Sequence, residues 1–204
     1  MRRPHLLVFN ANQQSLRVRT MSVGLLIIDI QNDYFPGGKW ELVGSEQAGQ
    51  LAGGLLKFFR EQKLPIFHAQ HIGNPTSPFF VPGTPGVEIR PVVKPQADEV
   101  LVQKHYPNGF RETTLLNELK QHDIKQLVVA GMMTHMCVDA TTRAATDFGL
   151  DCRIAQDACA SRDLKLNDRV VPALEVHTAF LAALNGSYGK VMTADAIIKE
   201  LQQT

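Results

Sequence analysis

Short apolar runs that alternate with amphipathic stretches constrain this chain more than any other feature of its sequence. Val23–Ile30 (VGLLIIDI), Pro65–Gln70, Val100–Gln103, Gln126–Gly131 and Asp151–Gln156 read as strands, with a shorter strand near Val191. Between them the period changes to that of a helix. Ala48, Leu51, Ala52, Leu55, Leu56 and Phe59 fall on one face of Glu46–Gln62. Further helices are expected over Glu112–Gln121, Met136–Phe148, Val170–Leu184 and Ala194–Gln202. Strands this apolar need cover on both faces, which predicts a three-layer αβα sandwich, Rossmann-like, around a roughly six-stranded and mainly parallel sheet. One long segment rich in proline and glycine, Ile72–Pro95, has no helical period and reads as a loop closing over a site.

At 204 residues the chain holds one well-cored domain. Met21–Thr204 is expected to be that domain, with Met1–Thr20 an extension, a misassigned start or an added edge strand. Leu6–Phe9 is too short for the apolar core of a signal peptide, and no run approaches the ~20 residues of a membrane span. A net charge of +1 gives no reason to expect nucleic acid or an acidic membrane as partner. Cys137, Cys152 and Cys159 form neither a disulfide framework nor a Cys-x-x-Cys pair, so a reducing, cytoplasmic compartment is expected.

In open parallel sheets the ligand lies beyond the carboxyl ends of the strands. Asp29 stands there after the first strand, His68 to His71 after the second, Lys104 after the third, and Met132 to Cys137 after the fourth. A carboxylate in an apolar run costs several kcal/mol unless it is paired or needed. Cys137 opens a helix after a tight glycine turn, where amide N–H groups and the helix dipole favour a thiolate and can hold an oxyanion. Asp29 could take the thiol proton and return it to a leaving group, with Lys104 keeping Asp29 ionised. A nucleotide-binding domain is disfavoured, because "DIQNDY" stands where a Gly-x-Gly-x-x-Gly turn would be needed.

Together "DIQNDYF", "KHYPNGF" and "GMMTHMCVDATTRAA", in this order, resemble the isochorismatase-like cysteine hydrolase family, from Ser22 to the C-terminus. That family includes nicotinamidases and N-carbamoylsarcosine amidohydrolase. The resemblance implies a catalytic triad of Asp29, Lys104 and Cys137. It also implies a cis peptide at Met132–Met133, with the N–H groups of Met133 and Cys137 forming an oxyanion hole. Assembly as a homodimer or homotetramer is implied as well. The activity expected is hydrolysis of a carbonyl–nitrogen bond in a small amide or carbamoyl compound through a thioester. The alternatives are vinyl-ether hydrolysis and a non-catalytic ligand-binding module on the same fold.

Tyr34, Phe35, His71 and Phe110 are expected to contact substrate. The chain lacks the Asp-x-His by which nicotinamidases bind a metal, so neither metal nor cofactor is expected, and His68 is assigned a core or hydrogen-bonding role. Gln31 and Asn32 are expected to hydrogen-bond the turn backbone, and His177 to pack within its helix.

Overall fold

The computed structural model describes residues 22–203, so the expectations for Met1–Thr20 and Met21 lie outside the described residues. A six-stranded sheet, parallel throughout, forms the centre. It comprises β1 (Val23–Ile28), β2 (Ile66–His71), β3 (Val100–Lys104), β4 (Gln126–Met132), β5 (Asp151–Ala160) and β8 (Lys190–Met192), in the order β3-β2-β1-β4-β5-β8. The helices are α1 (Ser45–Glu61), α2 (Leu115–Gln121), α3 (Asp139–Asp147), α4 (Ala173–Leu184) and α5 (Ala194–Gln202). A small antiparallel hairpin, β6 (Leu164–Leu166) and β7 (Arg169–Val171), precedes α4.

Alternation along β1 divides the core in two. Leu25 and Ile27 pack with Ala52, Leu55 and Phe59 of α1 and Ile197 of α5. Leu26 and Ile28 pack with Leu115 and Leu119 of α2, Ala145 of α3 and Leu181 of α4. The expected αβα sandwich is therefore the fold. From β1 the sheet continues outward through β2 and β3, and from β4 through β5 and β8, so the topological switch falls between β1 and β4. At that place Gly131 has φ 137°, and a Cβ there would lie 2.0 Å from the carbonyl oxygen of Ile28. The two central strands close on one another only over a glycine.

Several boundaries differ from expectation, each for a local reason. β1 stops at Ile28, because Asp29 turns into the left-handed region with φ 51°. α2 begins at Leu115 rather than Glu112. The Thr113 hydroxyl bonds the Gly109 carbonyl at 2.6 Å and accepts the Leu115 amide at 3.3 Å, which holds the preceding residues in a turn. The helix expected over Met136–Phe148 is divided into a wide π-type turn, Thr134–Val138, and α3. β5 runs on to Ala160, past a register shift opposite Val129–Gly131. Val170 and Val171 belong to the hairpin, and α4 starts after Pro172 where the Asp163 carboxylate accepts the Ala173 amide at 2.8 Å.

A buried carboxylate secures the edge of the sheet nearest the long loop. Glu99 accepts Nε and Nη2 of Arg60 at 2.6 and 3.0 Å, Nε2–H of His68 at 2.8 Å, and the Gln96 amide at 3.0 Å. Burial pushes the Glu99 carboxyl up, but Arg60, the Gln96 amide and His68 outweigh it and hold it at about 2. A depressed carboxyl contributes stability that is present above its ordinary range near pH 4.5 and lost as pH falls toward about 2. Glu99→Gln should lower the unfolding free energy at neutral pH by about 2–3 kcal/mol. Urea titrations should also show a flatter acid decline in the variant than in the parent.

Candidate active site

Three strands and one turn deliver the polar groups to the switch point. Asp29 leaves the end of β1 in a left-handed conformation that aspartate tolerates better than most residues. Its amide remains bonded to the Ala69 carbonyl at 2.9 Å. Lys104 ends β3, and its side chain is sealed from solvent, as is that of Asp29. Cys137 comes from the turn after β4, where the Met132–Met133 peptide is cis and the Met133 carbonyl accepts the amides of Met136 and Val138 at 3.1 and 3.2 Å. The Lys104 ammonium is the centre of the cluster. It lies 2.7 Å from Oδ2 of Asp29 and 3.2 Å from each of Sγ of Cys137, Nδ1 of His71 and the carbonyl of Tyr106. Both oxygens of the Asp29 carboxylate are buried, and the carboxylate also lies against the Cys137 thiol.

The electrostatics follow from this packing. Burial pushes the Cys137 thiol well above its ordinary range, the Asp29 carboxylate adds to the effect, and Lys104 opposes it. The resting group is a thiol, so desolvation outweighs the thiolate preference expected from the position at the start of a helix. Burial works against the Lys104 charge, but Asp29 and Cys137 raise the ammonium above its ordinary range. His71 is pushed down, by burial first, and is neutral at neutral pH.

One ligand atom each from Asp29, His71 and Cys137 lie within 4.8 Å of one another, a spacing that could serve a cation. The Lys104 ammonium already stands at contact distance from all three and fills that role itself. His68 has its ring directed to Glu99, so the two histidines of β2 do not converge.

Of the other residues expected at the site, Tyr34 is buried against the rings of Phe79 and Phe80. Burial raises its phenol well above the ordinary value, and the charges of Cys137, Asp29 and Asp33 push it further in the same direction while Arg162 opposes them. Phe35 packs against Gly49 of α1 with the Arg90 guanidinium 4.7 Å above its ring. Phe110 meets the ring of Phe148, just beyond α3, at 5.1 Å. Gln31 and Asn32 do bond backbone, but across to other segments. Gln31 exchanges two bonds with the His71 main chain at 2.8 and 2.9 Å and donates to the Val87 carbonyl at 2.7 Å. Asn32 donates to the Pro85 carbonyl at 2.8 Å. His177 reaches the Thr134 hydroxyl at 2.9 Å and so braces the nucleophile turn from α4, while His135 is turned to the Ser161 hydroxyl at 2.7 Å.

Two residues at this end of the sheet escape the sequence reading. Asp33 is buried, accepts the amides of Phe80 and Lys39 at 2.7 and 3.2 Å, and lies where a Cβ on Gly86 would sit 2.2 Å from its carboxylate. It pins the long loop directly to the β1 turn. Arg162 is half-buried and lies 4.3 Å above the Trp40 ring, and among the described residues no carboxylate pairs with it. The Trp40 indole N–H beside it is likewise buried without a partner among those residues. The strand-end rule points to Arg162 once β5 is known to reach Ala160 rather than Gln156. Asp33 has a weaker signal, a second carboxylate four residues after Asp29 ahead of a glycine turn. Asp33→Ala should leave the buried Phe80 amide unsatisfied and free the part-buried Lys39 amide. Limited proteolysis should then cut between residues 73 and 90 several-fold faster than in the parent chain.

Comparison with known proteins follows the same outline. The isochorismatase domain family matches residues 23–196. The uncharacterized isochorismatase family protein YddQ of Bacillus subtilis is 50% identical over 181 residues, covering 88% of this chain and 100% of its own length. The crystal structure of a candidate isochorismatase hydrolase from Oleispira antarctica superposes with a TM-score of 0.86 at 47% identity, over 88% of this chain and 97% of the other. Maleamate amidohydrolase of Pseudomonas putida is 26% identical over 87% of this chain and 86% of its own.

Proposed function

The chain belongs to the isochorismatase family of hydrolases, and we propose that it is a cysteine-dependent member that cleaves the carbonyl–nitrogen bond of a small amide or carbamoyl compound. The observation that carries this reading is the convergence, away from solvent, of the Cys137 thiol, the Asp29 carboxylate and the Lys104 ammonium at 2.7 and 3.2 Å. The similarity to a protein named as an amidohydrolase supports the bond type.

A buried thiol held in its protonated state needs a base at the moment of attack. Asp29 is that base, its carboxylate lying against the thiol and ready to accept the proton. The sulfur adds to the substrate carbonyl carbon, and the oxyanion rests on the amides of Met133 and Cys137. Asp29 then returns the proton to the nitrogen, the C–N bond breaks, and an amine or ammonia departs. Water adds to the thioester with Asp29 again as base, which releases the acid and restores the thiol. Lys104 holds a positive charge opposite whichever group, carboxylate or thiolate, is ionised at each step.

Arg162 refines the substrate class. A guanidinium 4.3 Å above the Trp40 ring, beside an unpartnered indole N–H and close enough to act on Tyr34, favours a substrate that carries an anionic group. No helix among the described residues is long and apolar enough to cross a membrane.

A panel of small amides, ureas and carbamoyl acids, neutral and carboxylate-bearing, tests both statements. Cys137→Ala should lose at least about a thousandfold in kcat on every substrate turned over. Arg162→Ala should raise KM about ten- to a hundredfold for the anionic members and leave the neutral ones unchanged. Turnover retained in Cys137→Ala overturns the cysteine mechanism. Equal losses on neutral and anionic substrates overturn the role of Arg162.

A further inference from the structure

His71 has a place in the cluster that differs from that of a substrate contact. It ends β2 and is the direct register partner of Lys104 at the end of β3. Paired residues of a parallel ladder send their side chains to the same face, so the sheet itself brings Nδ1 of His71 to 3.2 Å from Nζ of Lys104. The backbone there is held on both sides. Gln31, fully buried, clamps the His71 amide and carbonyl, and the next amide, Ile72, bonds the Lys104 carbonyl at 2.9 Å. Neither side chain can drift far from the other.

An ammonium has hydrogens to give and no lone pair. The contact therefore requires Nδ1 of His71 to be bare, and the ring proton sits on Nε2. A protonated imidazole would carry donors on both nitrogens, lose this bond, and set a second positive charge against Lys104. The charged and titratable groups facing His71 are Asp29 from the end of β1, Lys104 and His105 from the end of β3 and the residue after it, and Cys137 from the nucleophile turn. The Phe80 ring faces it from the long loop, 6.0 Å away. Lys104 has four acceptors around three hydrogens: Asp29, Cys137, Tyr106 and His71. When Asp29 takes the thiol proton, the carboxylate ceases to hold the ammonium as an ion pair. The ion pair passes to the Cys137 thiolate at 3.2 Å, and the neutral acceptors, His71 and the Tyr106 carbonyl, fix the direction from which the ammonium meets it.

We propose that His71 is a positioning residue, whose unprotonated Nδ1 keeps the Lys104 ammonium directed at Cys137 while the proton is on Asp29, and whose protonation switches the nucleophile off. The inference rests on the reading of Cys137 as nucleophile, but its test needs no turnover. Burial keeps His71 neutral at neutral pH, so the switch operates on the acid side, below the ordinary histidine value of about 6.5.

The probe is iodoacetamide, with alkylation of Cys137 followed by peptide mass spectrometry between about pH 5 and pH 9. In the parent protein the logarithm of the rate should be level above the His71 ionisation and fall in a steep segment with a slope of about one below it. His71→Asn places an amide oxygen near the position of Nδ1, accepts from Lys104 and does not titrate. It should keep the rate within about threefold at pH 8 and remove the steep segment. His71→Leu offers no acceptor and should alkylate about tenfold more slowly at pH 8. Superimposable profiles for the parent and His71→Asn would overturn the proposal, as would an undiminished rate in a folded His71→Leu. If the leucine variant does not fold, the asparagine comparison decides alone. A protein that hydrolyses amides yet shows no His71-dependent break retains its function and loses this inference. One that shows the break but turns over no amide does the opposite.

Discussion

The ion pair of Asp29 and Lys104 is the constraint around which the rest of this molecule is arranged. Two charges with no solvent exposure are expensive to bury, and such pairs seldom repay their desolvation relative to apolar residues of the same shape. The sheet makes the pair possible by its strand order. β1 and β3 are separated by β2 alone, and the two inter-strand spacings of about 4.8 Å each are crossed jointly by the lysine side chain, the Asp29 carboxylate and the 2.7 Å contact between them. Crossing β2, the ammonium meets His71, and beyond Asp29 it meets the sulfur delivered by β4. The residues that contact Lys104 thus come from the neighbouring strand ends, the turn after the fourth strand, and Tyr106 just beyond its own strand.

The long loop after β2 is part of the same arrangement. Three buried polar side chains, Gln31, Asp33 and Gln70, donate to or accept from its backbone, with Gln31 and Gln70 both bonded to the Val87 carbonyl. Phe79 and Phe80 pack on Tyr34 and Trp40, and Phe80 holds a positive φ of 55° to place its amide on Asp33. These buried bonds tie the segment to the β1 turn and to β2, and set its aromatic side chains beside Tyr34.

Much of this was readable from residues alone. Apolar runs of four to eight with helical spacing between them lead directly to the parallel sheet, and the strand-end rule then points to Asp29, His71, Lys104 and Cys137. What could not be read was decided by contacts distant in sequence. Whether Cys137 rests as thiol or thiolate depends on how completely it is desolvated, which no local pattern reports. His68 and His71 look alike in "FHAQHIG", and only the position of Glu99 on one side and Lys104 on the other separates their roles. The split of the helix after Met133 and the extension of β5 to Ala160 follow from pairing across the sheet, and the second of these hid Arg162. Nothing local marks Asp33 as an anchor, because the loop residues it holds, Phe80 and the Cβ-free Gly86, are some fifty residues away.

The central claim is that the buried carboxylate exists to take the proton from Cys137, and one comparison tests it most directly. Asparagine tolerates the left-handed backbone of position 29 and still offers Lys104 an amide oxygen, so Asp29→Asn removes the base with little change to the fold. Both proteins are mixed with p-nitrophenyl acetate, whose leaving group needs no acid, and acetylation of Cys137 is timed by quenched mass spectrometry. The account predicts that a folded Asp29→Asn is acetylated about a hundredfold more slowly than the parent. Acetylation of Cys137 at the parent rate in that variant would contradict it.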